Sequence, residues 1–408
     1  MMRLTTLANG LRVASRSMQS VETVAVGLYV DTGSRYEPAR LNGIAHLFEH
    51  MVFKGAGGRS AREISELIEN VGGDLNASTD REGTAFYASL LAPDLALGVN
   101  LIGDLIRRPH FEEQHLATEK KVVRQELAEA QDTASDIVFD HLQSVAFPDQ
   151  ALGRSVLGDD DSLGQIRVAD LHDWLSAHYR PNRLILVAAG KLEHEVLVAL
   201  AEAQFGDMLP IERIAPESAR FIGGWRFDNR RSRQAQVAIG MRAPAWGDSD
   251  NYAAQLFADV VGAGASSRLF QELREQQGLA YSVSAMAQPF ADCGLFSVYV
   301  ATDRDDSKLA QEQVELVLAD AVLSLTDAEL ARAKALSKAA MLMSLESCWG
   351  QASYVANRLQ REGRLVEPPE IVARLDAVTL DEVREAGRQM LAGPRALASV
   401  GGKLAKAA

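Results

Sequence analysis

The chain has 408 residues, 47% of them hydrophobic and 24% charged. That is enough apolar surface to build a core without staples, and length for about two to four domains. Its 42 basic and 55 acidic residues leave a formal charge of −13, which argues against nucleic acid as a partner, because phosphate binding needs clustered Lys and Arg. The two cysteines, Cys293 and Cys348, lie too far apart for a disulfide framework or a CxxC metal knuckle, and they point to a reducing compartment.

The opening segment, MMRLTTLANGLRVASRS, has no apolar run of signal-peptide length, and no stretch reaches the ~18 apolar residues of a membrane helix. A cytoplasmic protein with no membrane partner is expected, with the mitochondrial matrix as the weaker choice. Alternating apolar positions predict strands at Leu11–Ser15 and Thr23–Val30. Ser60 and Glu63 have the spacing of a capping box and open a helix over Ala61–Val71, which stops at Gly72-Gly73. A strand follows at Thr84–Leu91. A helix over Ala92–Arg107 is opened by Pro93 and ends before Pro109. A long helix spans Glu112–Asp132, and a further strand covers Leu184–Gly190.

Pro210–Gly224 holds two prolines and two glycines and reads as a linker. Beyond it the pattern begins again. Val24-Ala25-Val26-Gly27 is echoed by Val237-Ala238-Ile239-Gly240, Leu47–Val52 by Leu256–Val261, and the helix from Leu116 by the helix from Leu330. This ordered self-similarity predicts an α+β fold of two tandem homologous halves, each a mostly antiparallel sheet packed with helices. Residues 1–209 would form the first half, 210–224 the linker, and 225–408 the second half. In that alignment His46, Glu49 and His50 face Gln255, Ala258 and Asp259, and Glu126 faces Ala340. The ligand-type residues stand in the first half alone.

The segment Gly43–Phe53 carries HxxEH as His46, Glu49 and His50. On a helix, positions i and i+4 share a face, so both imidazoles can reach one ion while the carboxylate stands close by. Leu47, Phe48, Met51 and Val52 would anchor such a helix. A third ligand is needed, and the Glu112–Asp132 helix offers Glu119 and Glu126, seven positions apart and on nearly one face. Carboxylates on a stripe that also carries Val122 and Val123 need a positive partner. The same helix equally fits an ordinary solvated face, with Glu119, Lys120, Lys121 and Glu129 forming pairs.

These residues make the chain resemble the pitrilysin/insulinase family of zinc peptidases with the inverted HxxEH motif. It is most similar to the branch that includes the mitochondrial processing peptidase β subunit and its bacterial relatives. The resemblance implies a zinc metalloendopeptidase with one Zn2+ per chain. Its ligands would be His46, His50 and Glu126, the last 76 positions after the second His. Glu49 would activate the attacking water, and Glu119 would assist without being a ligand. Asn76, Ala77 and Ser78 match a strand that pairs with the peptide substrate. Arg274 and Tyr281 match a pair that reaches substrate from the half without zinc. Short members of the family act as pairs of chains, so a homodimeric clamshell is expected, with a heterodimer containing an inactive paralogue as the alternative. A dedicated peptide-maturation protease is a further reading. A purely structural subunit is disfavoured by the intact ligand set.

Overall fold

A computed structural model describes residues 1–404. In chain order the strands are β1 (Met2–Thr6), β2 (Arg12–Ser17), β3 (Thr23–Val30), β4 (Gly55–Ala56), β5 (Arg59–Ser60), β6 (Asp74–Thr79), β7 (Thr84–Leu91), β8 (Leu184–Gly190), β9 (Gly224–Asp228), β10 (Gln234–Ala243), β11 (Ala280–Pro289), β12 (Gly294–Asp303) and β13 (Ala396–Val400). The helices of the first half are α1 (Ile44–Val52), α2 (Ala61–Glu69), α3 (Leu95–Arg107), α4 (Glu113–Asp132), α5 (Ala134–Ala146), α6 (Asp160–Gln165), α7 (Val168–His178) and α8 (His194–Phe205). Those of the second half are α9 (Asn251–Gly262), α10 (Ser307–Ser324), α11 (Asp327–Ser344), α12 (Cys348–Glu362), α13 (Pro368–Ala377) and α14 (Leu380–Leu391).

Two sheets organise the chain, in the orders β1-β2-β8-β3-β7-β6 and β11-β12-β10-β13-β9. Read from β2 and from β9, they match strand for strand. Each has one parallel pair, β2 with β8 and β9 with β13, and is otherwise antiparallel. This is the expected α+β fold with its internal repeat. β3 is central and buried along nearly its whole length because its alternate residues feed two cores. Val24, Val26, Leu28 and Val30 join the cluster that also contains α1, α3 and α8 residues. Ala25 and Tyr29 join a second cluster on the other face.

Contacts divide the chain into two units, residues 1–127, 155–217 and 342–367 in one, and 128–154, 218–341 and 368–408 in the other. The last strand of the first sheet ends at Gly190 and the first strand of the second begins at Gly224, yet each unit includes a helix from the other side of residues 210–224. In the first unit α12 covers a sheet face, with Ala352, Val355, Ala356 and Leu359 against Ala14, Ala25, Ile185 and Val187. In the second, Val138 and Leu142 of α5 lie in one cluster with Ala238, Ala396 and Ala398.

The linker is laced down rather than free. Asn182 and Arg35 donate to the carbonyls of Ile211 and Glu217 at 2.8 and 3.0 Å. Further along, the backbone N–H groups of Ala219 and Ile222 donate to Asp292 Oδ2 and to the Ala146 carbonyl, both at 2.9 Å.

Strands Thr23–Val30, Thr84–Leu91 and Leu184–Gly190 form over the expected residues. The first expected strand shifts to Arg12–Ser17 because Leu7–Leu11 closes a turn, with the Gly10 N–H on the Leu7 carbonyl at 2.9 Å. The Ser60–Glu63 capping box is present on α2. Where the helix over Ala92–Arg107 was expected, Pro93 opens a 3-10 turn and the α-helix starts at Leu95. Among the described residues, no helix is long and apolar enough to cross a membrane.

Candidate metal centre

The helix α1 buries Ile44, Ala45, Leu47, Phe48, Met51 and Val52. Only its remaining stripe, with His46, Glu49 and His50, is left open. Phe48 sits against Phe111 and Tyr179, ring centroids 5.5 and 4.5 Å away. The start of α1 is tied down by Glu37, itself buried. One carboxylate oxygen accepts from Asn42 Nδ2 and the Gly43 N–H, and the other from the Ala45 N–H, each at 2.8 Å. A carboxylate at a helix N-terminus satisfies orphan donors and complements the helix dipole. Gly43 takes φ +90, a left-handed conformation suited to glycine.

On α4, Leu116, Glu119, Val123 and Leu127 form the buried stripe. Glu119 and Glu126 lie along it, so the helix presents two carboxylates to α1. Glu126 Oε2 stands 3.9 Å from His46 Nε2 and 3.7 Å from His50 Nε2. The two imidazole rings meet edge to face, centroids 4.6 Å apart. One ligand atom from each of the three residues falls within 4.8 Å of the others, the one such group among the described residues. Donors ~2.0–2.2 Å from a common tetrahedral ion would stand about 3.5 Å apart, so these residues fit zinc, and two imidazoles with one carboxylate is a known zinc donor set. Burial, and then the neighbouring His50, push the pKa of His46 down to about 4. It is therefore neutral near pH 7, the form that binds metal.

Around the three lie supporting groups. Glu119 accepts from His50 Nδ1 at 3.2 Å, the contact that fixes an imidazole's tautomer and leaves Nε2 for a metal. Lys54 Nζ lies 3.0 Å from the other oxygen of Glu119. Thr79 Oγ1, on β6, donates to Glu49 Oε2 at 2.5 Å. Burial raises the pKa of Glu49, and the Thr79 hydrogen bond counteracts part of that rise.

The strand β6 pairs with β7 on one side and ends the sheet on the other. Asn76 and Ser78 are exposed there, and the Ala77 N–H is held by Asn76 Oδ1 at 2.8 Å. In the second unit, Arg274 and Tyr281 are brought together, the guanidinium 5.9 Å from the Tyr281 ring centroid and 4.7 Å from that of Phe270. Arg274 belongs to a π-helical turn, Phe270–Gln276, and Tyr281 is 74% exposed.

Glu37, Lys54 and Thr79 were not among the expected site residues. Lys54 has a weak signal, four positions beyond His50. Thr79 has none because its partner Glu49 lies on another element, and Glu37 has none because its contacts with Asn42, Gly43 and Ala45, though close in sequence, follow no regular spacing.

Helix-borne imidazoles facing a carboxylate on a second helix, in one half of a duplicated α+β fold, define an inverted-motif metallopeptidase. The chain belongs to the insulinase family, peptidase family M16, whose sequence profile matches residues 12–160, and the family's inactive-domain profile matches residues 165–337. It is 31% identical to an uncharacterized zinc protease of Rickettsia felis over 92% of each chain. It is also 31% identical to the β subunit of the mitochondrial processing peptidase of Lentinula edodes, over 95% of this chain and 87% of that protein. The fold matches the crystal structure of a protease from Helicobacter pylori with a TM-score of 0.88, at 20% identity over 97% of this chain and 99% of that one. As a family member the chain is a hydrolase, a zinc metalloprotease.

Proposed function

We propose that the enzyme is an endopeptidase for unstructured peptides, with His46, His50 and Glu126 as zinc ligands and Glu49 as general base. The observation that carries this reading is the pre-assembled trio of donor atoms with Glu49 beside it on the open stripe of α1. A zinc ion held there supplies Lewis acidity, which acidifies water and polarises a carbonyl. Glu49 takes the proton of the attacking water and passes it to the leaving amine. Its raised pKa brings it closer to the working pH of such a base. Glu119 orients His50 and is not a ligand. The open edge of β6, at Asn76, Ala77 and Ser78, accepts an extended substrate as an added strand, a geometry that selects unfolded chains. Arg274 and Tyr281 supply a carbonyl contact and a hydroxyl donor for the oxyanion.

We further propose a homodimer in the cytoplasm, each chain providing both the zinc-bearing half and the half with Arg274 and Tyr281. A heterodimer with an inactive paralogue is the second reading, favoured by the relative that is itself named a subunit. The test of the chemistry is Glu49→Gln, assayed on a library of unstructured peptides with cleavage sites mapped by mass spectrometry. The variant is expected to keep zinc and lose turnover. Loss of zinc with activity would make Glu49 a ligand, and near-normal turnover would remove it from the mechanism.

A further inference from the structure

A glutamate side chain has three rotatable bonds, and α1 fixes only the backbone of Glu49. Something else must fix the carboxylate if it is to meet water in one orientation. Thr79 does this at Oε2, with its hydroxyl 2.5 Å away, leaving Oε1 without that bond and available to a proton. The hydroxyl is not needed to build the strand, since Thr79 pairs with Thr84 through its backbone at the end of β6. It is half-buried, and it ties the edge strand to the metal helix.

We propose that Thr79 is the positioning residue of the base, so that the strand expected to carry substrate also sets the aim of Glu49. This rests on the reading of Glu49 as general base. A misaimed base slows the chemical step without weakening the hold on substrate, so the signature is a fall in kcat at constant KM.

The experiment compares Thr79→Val, Thr79→Ala, Thr79→Ser and Glu49→Gln with the parent enzyme on one cleaved peptide. Zinc content and melting temperature are measured for each. Removing the hydroxyl in Thr79→Val is expected to lower kcat about 10- to 100-fold, with KM within about twofold. Zinc stays at one per chain, and Thr79→Ser recovers to within about threefold of the parent. If Thr79→Val folds poorly, Thr79→Ala is read in its place against the same expectations. Unchanged kcat in Thr79→Val beside an inert Glu49→Gln overturns this inference alone. So does a Thr79→Ser enzyme as slow as Thr79→Val, or a kcat loss that follows zinc loss. Turnover by Glu49→Gln would instead overturn the base assignment, and this inference with it.

Discussion

At the scale of single residues, the site depends on side chains whose charge state is set by burial. His50→Ala should purify with most of its zinc gone by elemental analysis, because two remaining donors do not hold the ion. Full zinc in that variant would break the ligand assignment. Burial gives a separate, metal-free prediction at His178, whose pKa is pushed down to about 4 by burial and then by Arg183. The unfolded chain protonates this group near its ordinary value of ~6.5. Its contribution to stability is therefore complete above pH ~6.5, falls as the pH drops towards 4, and levels off below. Between pH 6.5 and 5, His178→Gln should flatten the loss by about 2 kcal/mol, read from denaturant midpoints on zinc-free protein. An unchanged pH slope would mean that His178 is not the titrating group. The two histidines were legible in the sequence because i, i+4 spacing on a helix is local, whereas the choice of Glu126 over Glu119 came only with the resemblance to the family. Lys54 and Thr79 were not legible, because each meets its partner only once separate elements have come together, and Glu37 was not, because its reach onto the start of α1 follows no regular spacing.

At the scale of elements, α1 and β6 carry the argument. Glu37→Gln replaces a buried carboxylate that accepts from two backbone N–H groups and an Asn amide. The cost should be roughly 1–3 kcal/mol of stability, and zinc affinity should fall with it, since the ligand helix loses its fixed start. A chelator competition that shows parental affinity would separate the cap from the site. For β6, the Ala77 N–H is held by Asn76 and so faces away from the β7 ladder. Proline is tolerated on such an edge position. Ala77→Pro should therefore keep the fold and the zinc but lose kcat/KM on extended peptides. Full activity would show that substrate does not add to this edge. Strands β3 and β8 could be read to the residue, because a strand buried on both faces leaves an uninterrupted apolar run with β-branched residues, and β7 because its burial alternates along the strand. The exchange of α5 and α12 could not be read. An amphipathic helix announces that it has an apolar face, not which sheet will receive it.

For the whole molecule, the proposed homodimer makes a quantitative demand. A His50→Ala chain and an Arg274→Ala/Tyr281→Phe chain, each inactive, are mixed and allowed to exchange. If one chain's zinc works with the other's Arg274 and Tyr281, each mixed dimer has one intact site, and up to about half of parental activity per mixed dimer returns. Proven exchange without recovery would mean that each chain acts alone or needs a different partner. Twofold closure is the commonest outcome for soluble oligomers, and the duplicated fold, with ligands in one half and Arg274 and Tyr281 in the other, suits it.

The position of α12 has a consequence for how the protein is made. The face of the first sheet that carries Ala14, Ala25, Tyr29, Ile185 and Val187 is closed by a helix some 150 residues downstream of β8, at Cys348–Glu362. On the ribosome, which delivers the chain from the N-terminus, the metal-binding half is therefore synthesised long before its cover. The nascent chain must carry that apolar face uncovered until Cys348–Glu362 has been made. Release of a fragment ending near residue 340 should leave a species that chaperones retain and proteases degrade. The ligand residues are made well before the helix that completes the half holding them.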